Sequence, residues 1–372
     1  MKDLHGIIFA YENHNNLRDL TEHRMPASIP FAGRYRIIDF ILSSMVNAGI
    51  TDVGVVLHGR YQSLLDHLGN GKDWDLSRSH GGLKLLPPFS YAQRGELREF
   101  RGKMEALAGI RSYLEGIRQS HVVMANSDHI INIPLQDVYK AHLETGADIT
   151  VVCTSNLDTC PDNNSYYRLS EDGRVTETLF EVRNNQGFYR SLEIFILSKE
   201  LLLDLVDEAV SHDQYTWRTA VMQGKADQLH IHSYVWDGYA AQIRSLKEYY
   251  DRSMELMDST IRREVFHPQR PIFTKERNDA STYVDPAGTC CNSLIADGCT
   301  IEGSVENSIL FRGVSIARGA SVKNSILMQD VTIHRDAVLH HVIADKNVEI
   351  LGERTLMGHE QYPLSISKNS KI

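Results

Sequence analysis

An internal repeat near the C-terminal end restricts the fold of this chain more than any other part of its sequence. Asn307-Ser-Ile-Leu310 recurs seventeen residues later as Asn324-Ser-Ile-Leu327, and Ile316 recurs as Ile333 at the same offset. Asn292-Ser-Leu-Ile295 is an earlier copy. Short aliphatic strands at this period, with Gly and Asp between them, predict a parallel β-helix of about eighteen residues per coil. An irregular β-sandwich is the alternative.

Apolar strands and amphipathic segments alternate through the longer N-terminal part. Residues 5–10 and 53–57 are typical of buried strands, and residues 40–49 between them predict a helix that ends at a glycine, which together make a βαβ unit. Asp172-Gly173 predicts a hairpin. These patterns predict an α/β fold with a mixed, mostly parallel sheet. The expected domains are an α/β domain over 1–262, a proline-rich linker over 263–288 and the β-helix over 289–372.

Composition excludes some classes of protein. The net charge of −9 argues against a nucleic-acid partner, because phosphate binding favours a basic face. No stretch approaches the roughly 20 apolar residues of a membrane span, and we expect no signal peptide. The odd number of cysteines, without a metal-binding pattern, predicts reduced thiols in the cytoplasm. These cysteines are Cys153, Cys160, Cys290, Cys291 and Cys299.

One acidic residue follows a buried strand at the position where α/β sheets bind ligands. The segment His121-Val-Val-Met-Ala-Asn-Ser-Asp-His-Ile130 runs from apolar residues into Asp128. An acid at the carboxyl end of a parallel strand suits a divalent metal that holds phosphate oxygens. The alternative interpretation is an ordinary strand-end Asp that caps the next helix.

Four segments resemble motifs of the glucose-1-phosphate adenylyltransferase family. Pro30-Phe-Ala-Gly-Arg-Tyr-Arg-Ile-Ile-Asp-Phe40 is similar to PFGGKYRIIDF, and Ser127-Asp-His-Ile130 resembles GDHI. Trp74-Asp-Leu76 with Leu86-Pro-Pro88 resembles GWDLD…LPP, and residues 307–330 are similar to ENSVLFRGVRVGEGAVVKDSVIMQD. The resemblance extends over almost the whole chain, with the motifs in the family's order.

The resemblance implies a fold and a reaction. Family members join a Rossmann-like nucleotidyltransferase domain to a left-handed β-helix and form tetramers. They make ADP-glucose from ATP and glucose 1-phosphate for glycogen synthesis. Their reaction is a displacement at the α-phosphate, for which a Mg²⁺ ion bridges phosphate oxygens. The resemblance implies no tightly bound cofactor.

The chain departs from the family in the segments that hold the triphosphate. The family's GGxGTRL loop brings backbone N–H groups and an Arg to the phosphates. Here the loop is Tyr11-Glu-Asn-His-Asn-Asn-Leu17, so Glu12 adds negative charge and Asn16 replaces the Arg. In the next motif, RAKPA, Arg24 is retained but Pro26 replaces the Lys.

Three further family positions are also altered. Gln242 replaces the second metal-site Asp of GYWxDVGT, Val182 replaces the Lys of FxEKP, and Glu193 replaces the Gly of SMGIY. Asp128 alone keeps an obvious catalytic match. A metal held by Asp128 beside a neutral amide would bind weakly.

The known rate effects of single lost residues predict how these replacements change activity. Loss of one charge-stabilising donor lowers a rate about 10²–10³-fold, and loss of a phosphoryl-transfer Arg about 10³–10⁵-fold. The sequence therefore predicts a silent or nearly silent member. It resembles the regulatory subunit that some bacteria pair with an active adenylyltransferase subunit, in a heterotetramer.

Two alternatives remain open. An active nucleotidyltransferase could use Arg18, Arg24 and Arg183 in place of the lost charges, although each is equally a surface Arg. A hexapeptide β-helix acyltransferase or assembly module would need a His as base. The candidates for that base are His334, His340 and His341.

Two arginines are candidates for effector binding. The basic residue of FGGKYR is associated in the family with anionic sugar-phosphate effectors, and Arg34 holds that position with Arg36 two residues later. A guanidinium suits phosphate because it donates two parallel hydrogen bonds. The alternative is a structural Arg paired with an acid such as Asp39.

Overall fold

The structure, a computed structural model, describes residues 3–11, 15–87, 100–156, 164–180 and 186–372. An α/β domain is followed by a three-sided parallel β-helix, as the sequence predicts. The helices are α1 Ile37–Asn47, α2 Gln62–Leu68, α3 Lys103–Gly109, α4 Arg111–Glu115, α5 Leu135–Thr145, α6 Lys199–Ser211, α7 Leu246–Met254 and α8 Ser259–Val265. The strands of the α/β domain are β1 Leu4–Phe9, β2 Pro30–Phe31, β3 Tyr35–Arg36, β4 Asp52–Val56, β5 Gly82–Leu86, β6 His121–Asn126, β7 His129–Ile131, β8 Ile149–Thr154, β9 Ser165–Leu169, β10 Val175–Phe180, β11 Tyr189–Ser198, β12 Ile231–Val235 and β13 Ala240–Gln242.

The main sheet is mixed, with parallel strands at its centre. β1 pairs in parallel with β4 and β6, and β4 pairs in parallel with β5. The long strand β11 is antiparallel to β6, β8 and β9. Successive residues of β1 face opposite sides, since Ile7 and Ile8 belong to different apolar clusters. Helices cover both faces, and the predicted hairpin is formed by β9 and β10.

Some local predictions differ from the structure. The helix predicted over 102–118 is broken at Ile110, whose φ of −110° and ψ of 19° end α3 before α4 begins. The helical segment predicted over 17–24 is a 3-10 helix, Asn15–Thr21, interrupted by Arg18 at φ 47°. The helix predicted over 246–259 ends at Met254, and Asp258 caps the next one by accepting from the Thr260 N–H at 2.6 Å.

The β-helix has three sheets of five short strands among the described residues. Ile309 pairs with Ile326 and Ile326 with Ile343, so each central coil uses seventeen residues, whereas fifteen separate Leu294 from Ile309. Its strands are β14 Tyr283–Val284, β15 Thr289–Cys291, β16 Leu294–Ile295, β17 Thr300–Ile301, β18 Ser304–Glu306, β19 Ile309–Leu310, β20 Ser315–Ile316, β21 Ser321–Lys323, β22 Ile326–Leu327, β23 Thr332–Ile333, β24 Val338–His340, β25 Val342–Ala344, β26 Glu349–Ile350, β27 Thr355–Met357 and β28 Leu364–Ile366.

The repeated Asn has a physical reason. Asn292, Asn307 and Asn324 all have left-handed backbone angles, φ 41°, 46° and 46°, which Asn tolerates better than most residues. Each therefore turns one corner of a coil. Asn292 Nδ2 donates to Asn307 Oδ1 at 2.9 Å, and Asn307 Nδ2 donates to Asn324 Oδ1 at 2.6 Å. This ladder of side-chain amides links successive coils.

Secondary structure extends into the predicted linker segment from both sides. α8 reaches Val265, and the first β-helix strand, Tyr283–Val284, falls inside the segment predicted as linker over 263–288. Between them the chain follows α1, because Asn47 Nδ2 donates to the Pro271 carbonyl at 3.0 Å. The Phe273 N–H also donates to Ser43 Oγ, at 2.8 Å.

The described cysteines agree with the prediction of reduced thiols. Cys153, Cys290, Cys291 and Cys299 are free, whereas Cys160 lies outside the described residues. Burial raises the pKa of Cys153 to about 12. Among the helices that the structure describes, none is both long and apolar enough to cross a membrane.

Two buried histidines are expected to make the stability of the fold depend on pH. Burial lowers the pKa of His5, beside the Tyr113 hydroxyl at 2.8 Å, to about 4, and lowers that of His142 to about 4. In the unfolded chain these two histidines protonate near pH 6.5. Their contribution to the free energy of unfolding is therefore complete above that pH, and it is lost as pH falls from 6.5 toward 4. At pH 5.5 each His should lower the unfolding free energy by about 1.4 kcal/mol.

Urea denaturation at pH 7.5 and 5.5 tests this expectation. The substitution His142→Asn keeps a neutral side chain that can bind Thr150 Oγ1, the present partner of His142 Nδ1 at 2.8 Å. It should remove about half of the difference in unfolding free energy between pH 7.5 and 5.5 that is attributed to the two histidines. Equal pH dependence in the wild type and His142→Asn would contradict the contribution of His142.

Candidate functional site

Asp128 lies just after β6, at the carboxyl edge of the central parallel strands. β7 pairs antiparallel with β13, so that His129 lies opposite Gln242. This pairing brings Gln242 to Asp128, where its Nε2 donates to Oδ2 at 2.6 Å. His129 Nδ1 lies 2.7 Å from Asp128 Oδ1. Both oxygens of a carboxylate that is only 2% exposed therefore contact nitrogen atoms of the protein.

These surroundings do not fit a magnesium ion. Mg²⁺ requires oxygen ligands around it, whereas Gln242 presents an N–H donor to Asp128. In the part of the chain that the structure describes, no group of three or more His, Cys, Asp or Glu side chains could hold a metal ion. The site predicted as a weak metal site has one carboxylate, with an amide in the place of the second.

A second charged pair, Lys103 with Glu193, lies at the same edge. Lys103 Nζ contacts the Glu193 carboxylate, and the side chains are 8% and 13% exposed. Glu193 lies at a β-bulge of β11, next to Ile194, which is paired with Ala125 of β6. Burial raises the pKa of Glu193, but the Lys103 and Arg218 cations outweigh that effect and leave the pKa lowered. The carboxylate is therefore ionised at neutral pH.

The sequence pattern identified Glu193 as a replacement of a family glycine but did not identify Lys103. The replacement itself was the available signal, because a buried carboxylate needs a cation. Gly102 places Lys103 at the start of α3. A Cβ at Gly102 would lie 2.4 Å from the Tyr215 carbonyl oxygen, so a larger residue would displace this segment.

Only some of the altered family positions and candidate arginines lie in the described part of the chain. Asn16 and Arg18 are exposed on the 3-10 helix Asn15–Thr21. Pro26 is buried and begins a second short 3-10 helix, Pro26–Ser28, where its fixed φ suits the first position. Glu12, Val182 and Arg183 lie outside the described residues.

Arg24, the retained family position, is bound to the β-helix. Its Nη2 donates to both Asp345 oxygens, at 2.8 and 2.6 Å, and the two side chains are 3% and 1% exposed. Nη1 lies 3.9 Å from Met328 Sδ, also on the β-helix. The guanidinium thus joins the two domains through a buried ion pair, and it is not free to neutralise a triphosphate.

The two candidate effector residues differ in their surroundings. Arg34 is 47% exposed, stacks on the Tyr35 ring and lies 3.9 Å from Asp297. Arg36 donates to the Ser63 carbonyl at 2.6 Å, and burial lowers its pKa to about 10. The alternative pairing with Asp39 is made by the backbone N–H of Arg36, at 2.9 Å, and not by the guanidinium.

A basic cluster surrounds Arg36 where the two domains meet. Lys346 of the β-helix has its pKa lowered to about 7, by burial first and then by the Arg36 and Arg24 cations. Lys368 lowers it further, while Asp345 raises it. Within the described part of the chain the Lys346 ammonium makes no ion pair. Because nearby cations lower the pKa of Lys346, an anion bound beside it would favour the charged ammonium and raise that pKa.

The histidines suggested as acyl-transfer bases are engaged with other groups. His334 Nε2 lies 2.9 Å from Glu349, and His341 Nδ1 lies 2.8 Å from the Tyr250 hydroxyl. His340 Nε2 lies 3.3 Å from the Asn324 amide. These contacts give each His a structural partner within or beside the β-helix.

The fold and the site together define a class of protein. A mixed α/β sheet with an acid after its central strand, followed by a left-handed hexapeptide β-helix, is typical of the nucleotidyltransferase class. Residues 6–228 match the nucleotidyl transferase family, and residues 279–362 match the GlmU-like C-terminal hexapeptide family. The chain belongs to the glucose-1-phosphate adenylyltransferase family, as its motifs predict.

Named relatives divide into two groups. The chain is 39% identical to "Glycogen biosynthesis protein GlgD" of Bacillus subtilis, over 98% of this chain and 95% of that protein. A protein of the same name from Geobacillus stearothermophilus is 37% identical, over 85% of this chain and 81% of its own. "Glucose-1-phosphate adenylyltransferase" of Geobacillus stearothermophilus is 29% identical, over 85% of this chain and 82% of its own.

Proposed function

We propose that this chain is a regulatory subunit of a glucose-1-phosphate adenylyltransferase, silent or weakly active alone. It acts in glycogen biosynthesis with a catalytic subunit that makes ADP-glucose from ATP and glucose 1-phosphate. Its relatives named for glycogen biosynthesis support the process, and those named as adenylyltransferases support the reaction of the partner. The free cysteines among the described residues support a cytoplasmic location.

The observation that carries this proposal is the contact between Gln242 and Asp128. An enzyme that uses a metal between two carboxylates needs both of them anionic and open to the cation. Here an amide donates directly into the remaining carboxylate at 2.6 Å. Arg24, which an active enzyme could use, is taken by Asp345. The intact β-helix and domain junction support a role in assembly.

ADP-glucose synthesis by three samples tests the proposal: this chain alone, a catalytic subunit alone, and both co-expressed. We expect the lone chain to be at least about a hundredfold slower than the mixture, since a single lost charge-stabilising group already has an effect of that size. The mixture should be faster, or more sensitive to effectors, than the catalytic subunit alone. Ordinary activity of the lone chain would refute the proposal.

An anionic sugar-phosphate effector is proposed to bind at Arg34, Arg36 and the basic cluster. Lys346→Met should weaken activation of the mixed enzyme by hexose phosphates at least about tenfold, because the proposed charge-assisted contact with the phosphate is lost. Arg34→Ala should have a smaller effect, because Arg34 is 47% exposed and its charge is screened. Activation assays across hexose phosphate concentrations measure both effects, and unchanged activation in both variants would contradict this site.

Effector binding should also depend on pH. Lys346 faces Arg24, Arg36, Lys368, Asp345 and His67, and its pKa is lowered to about 7. As pH rises from 6.5 to 8.5 the free subunit loses the Lys346 proton, so hexose phosphate binding should weaken by up to about tenfold per pH unit. Calorimetric titration of the wild type measures the change, and in Lys346→Met the slope should disappear. The same slope in both proteins would exclude Lys346 as its source.

A further inference from the structure

The pair Lys103–Glu193 lies where the sheet presents its ligand-binding edge. Lys103 Nζ sits 5.7 Å from the centre of the Phe9 ring and 5.5 Å from that of Phe195, with the Glu193 carboxylate in contact. Phe9 ends β1, next to the strand that leads to Asp128. The ammonium is therefore held between two aromatic faces and one carboxylate, at the edge where open α/β sheets bind ligands.

Glu193 occupies a backbone conformation that suits glycine. Its φ of 54° is left-handed, and the pairing of β11 with β8 shifts register at this residue. A non-glycine residue is disfavoured in this region because its Cβ crowds the backbone. The strain persists because the bulge directs the carboxylate to Lys103, with Ser165 Oγ donating to its other oxygen at 3.3 Å.

We infer that Glu193 is an internal ligand, which fills an anion-binding position built around Lys103 and excludes a phosphate monoester from it. The carboxylate takes from Lys103 and Ser165 the hydrogen bonds that a phosphate would take. It also neutralises the charge that would attract one. Glu193 thus prevents the lone chain from binding a phosphate monoester at this position. This effect is separate from the replacements at the family's catalytic positions.

The charges around Glu193 favour an anion of this class. Lys103 contacts the Glu193 carboxylate, and Lys103 and Arg218 both lower the pKa of Glu193, so the charges of two cations act on this position. Asp128 acts in the opposite direction and raises it. Without Glu193 the position would keep two cations, one carboxylate and the Ser165 hydroxyl. That set has a net positive charge and suits the oxygens of a phosphate group.

Titration of the lone chain with glucose 1-phosphate, inorganic phosphate and glucose tests the inference. Glu193→Gln removes the charge at the same size, and Glu193→Gly restores the residue that φ 54° favours. Both variants should bind glucose 1-phosphate and inorganic phosphate at least about tenfold more tightly than the wild type, since they leave the buried Lys103 ammonium without the Glu193 carboxylate. Binding of glucose should not change. Two variants are used because Glu193→Gln leaves Lys103 without its counter-ion, whereas Glu193→Gly also relieves backbone strain.

Two controls make the result specific. Lys103→Met combined with Glu193→Gln should lose the gain, which separates this position from the basic cluster around Lys346. Glu177→Gln removes the same charge from an exposed residue of β10 paired with Arg168, and should bind as the wild type does. Unchanged phosphate affinity in both single variants, or a gain that survives Lys103→Met, would overturn the inference. Because only binding by the lone chain is measured, the result is independent of whether the chain regulates a partner.

Discussion

Replacing Asp345 by alanine is expected to lower the free energy of unfolding by about 3–5 kcal/mol, the effect of breaking a buried ion pair by removing one partner. Asp345 is 1% exposed and accepts from Arg24 at 2.8 and 2.6 Å. Its negative charge also raises the pKa of Lys346. Its loss would leave the Arg24 guanidinium buried near two other cations, Arg36 and Lys346. Urea denaturation followed by circular dichroism measures the change.

A double variant separates the effect of the unpaired charge on stability from the effect of lost side-chain volume. Arg24→Met with Asp345→Leu replaces both partners by apolar groups, and such replacements are often neutral or stabilising. Met328 already lies beside the guanidinium, so the new side chains would meet an apolar neighbour. We expect the double variant to recover most of the lost stability. If Asp345→Ala unfolds at the wild-type urea concentration, the pair does not hold the domains together as described.

Gln242→Asp is expected to lower the free energy of unfolding when no metal is present. The same variant is expected to bind a divalent metal when one is supplied. A second carboxylate would face Asp128 within a few ångströms, where two buried negative charges repel and raise one pKa strongly. At pH 7.5 without metal we expect a loss of about 2–4 kcal/mol of unfolding free energy. Mn²⁺ at a hundred times its dissociation constant should restore about 2.7 kcal/mol.

Gln242→Asn is the matched control, because it has the size of Asp without its charge. Its stability should not depend on Mn²⁺, and the wild type should respond little. Thermal unfolding of the three proteins with and without Mn²⁺ provides the comparison. If Mn²⁺ raises the unfolding temperature of Gln242→Asp and Gln242→Asn equally, the neutral amide is not what keeps metal from this site.

The repeat in the sequence predicted the β-helix well because its cause is local. Asn307 and Asn324 lie seventeen residues apart because each turns a corner of one coil in the left-handed conformation. The Asn307 side chain also donates a hydrogen bond to Asn324 in the next coil. Sequence spacing therefore translates directly into coil spacing. The family motifs place Gln242 beside Asp128, and the pairing of β7 with β13 is the structural basis of their contact.

The role of Arg24 shows what a motif could not reveal. Its match to a family arginine suggested a residue that serves the reaction, but its partner Asp345 lies 321 residues away on another domain. A guanidinium binds whichever carboxylate the fold brings within reach, and the sequence does not state which one that is. The retained residue thus contributes to the domain junction here.

The sequence by itself determined the α/β and β-helix architecture, the family and the residue types at the family's motif positions, because these depend on periodicity and on residue identity. Only the tertiary structure decided which charges meet. Lys103 and Glu193 are 90 residues apart, and a β-bulge in β11 is what aims the carboxylate at the ammonium. Electrostatic energy falls with distance and rises with burial, and both quantities are fixed by the fold rather than by neighbouring residues in the chain.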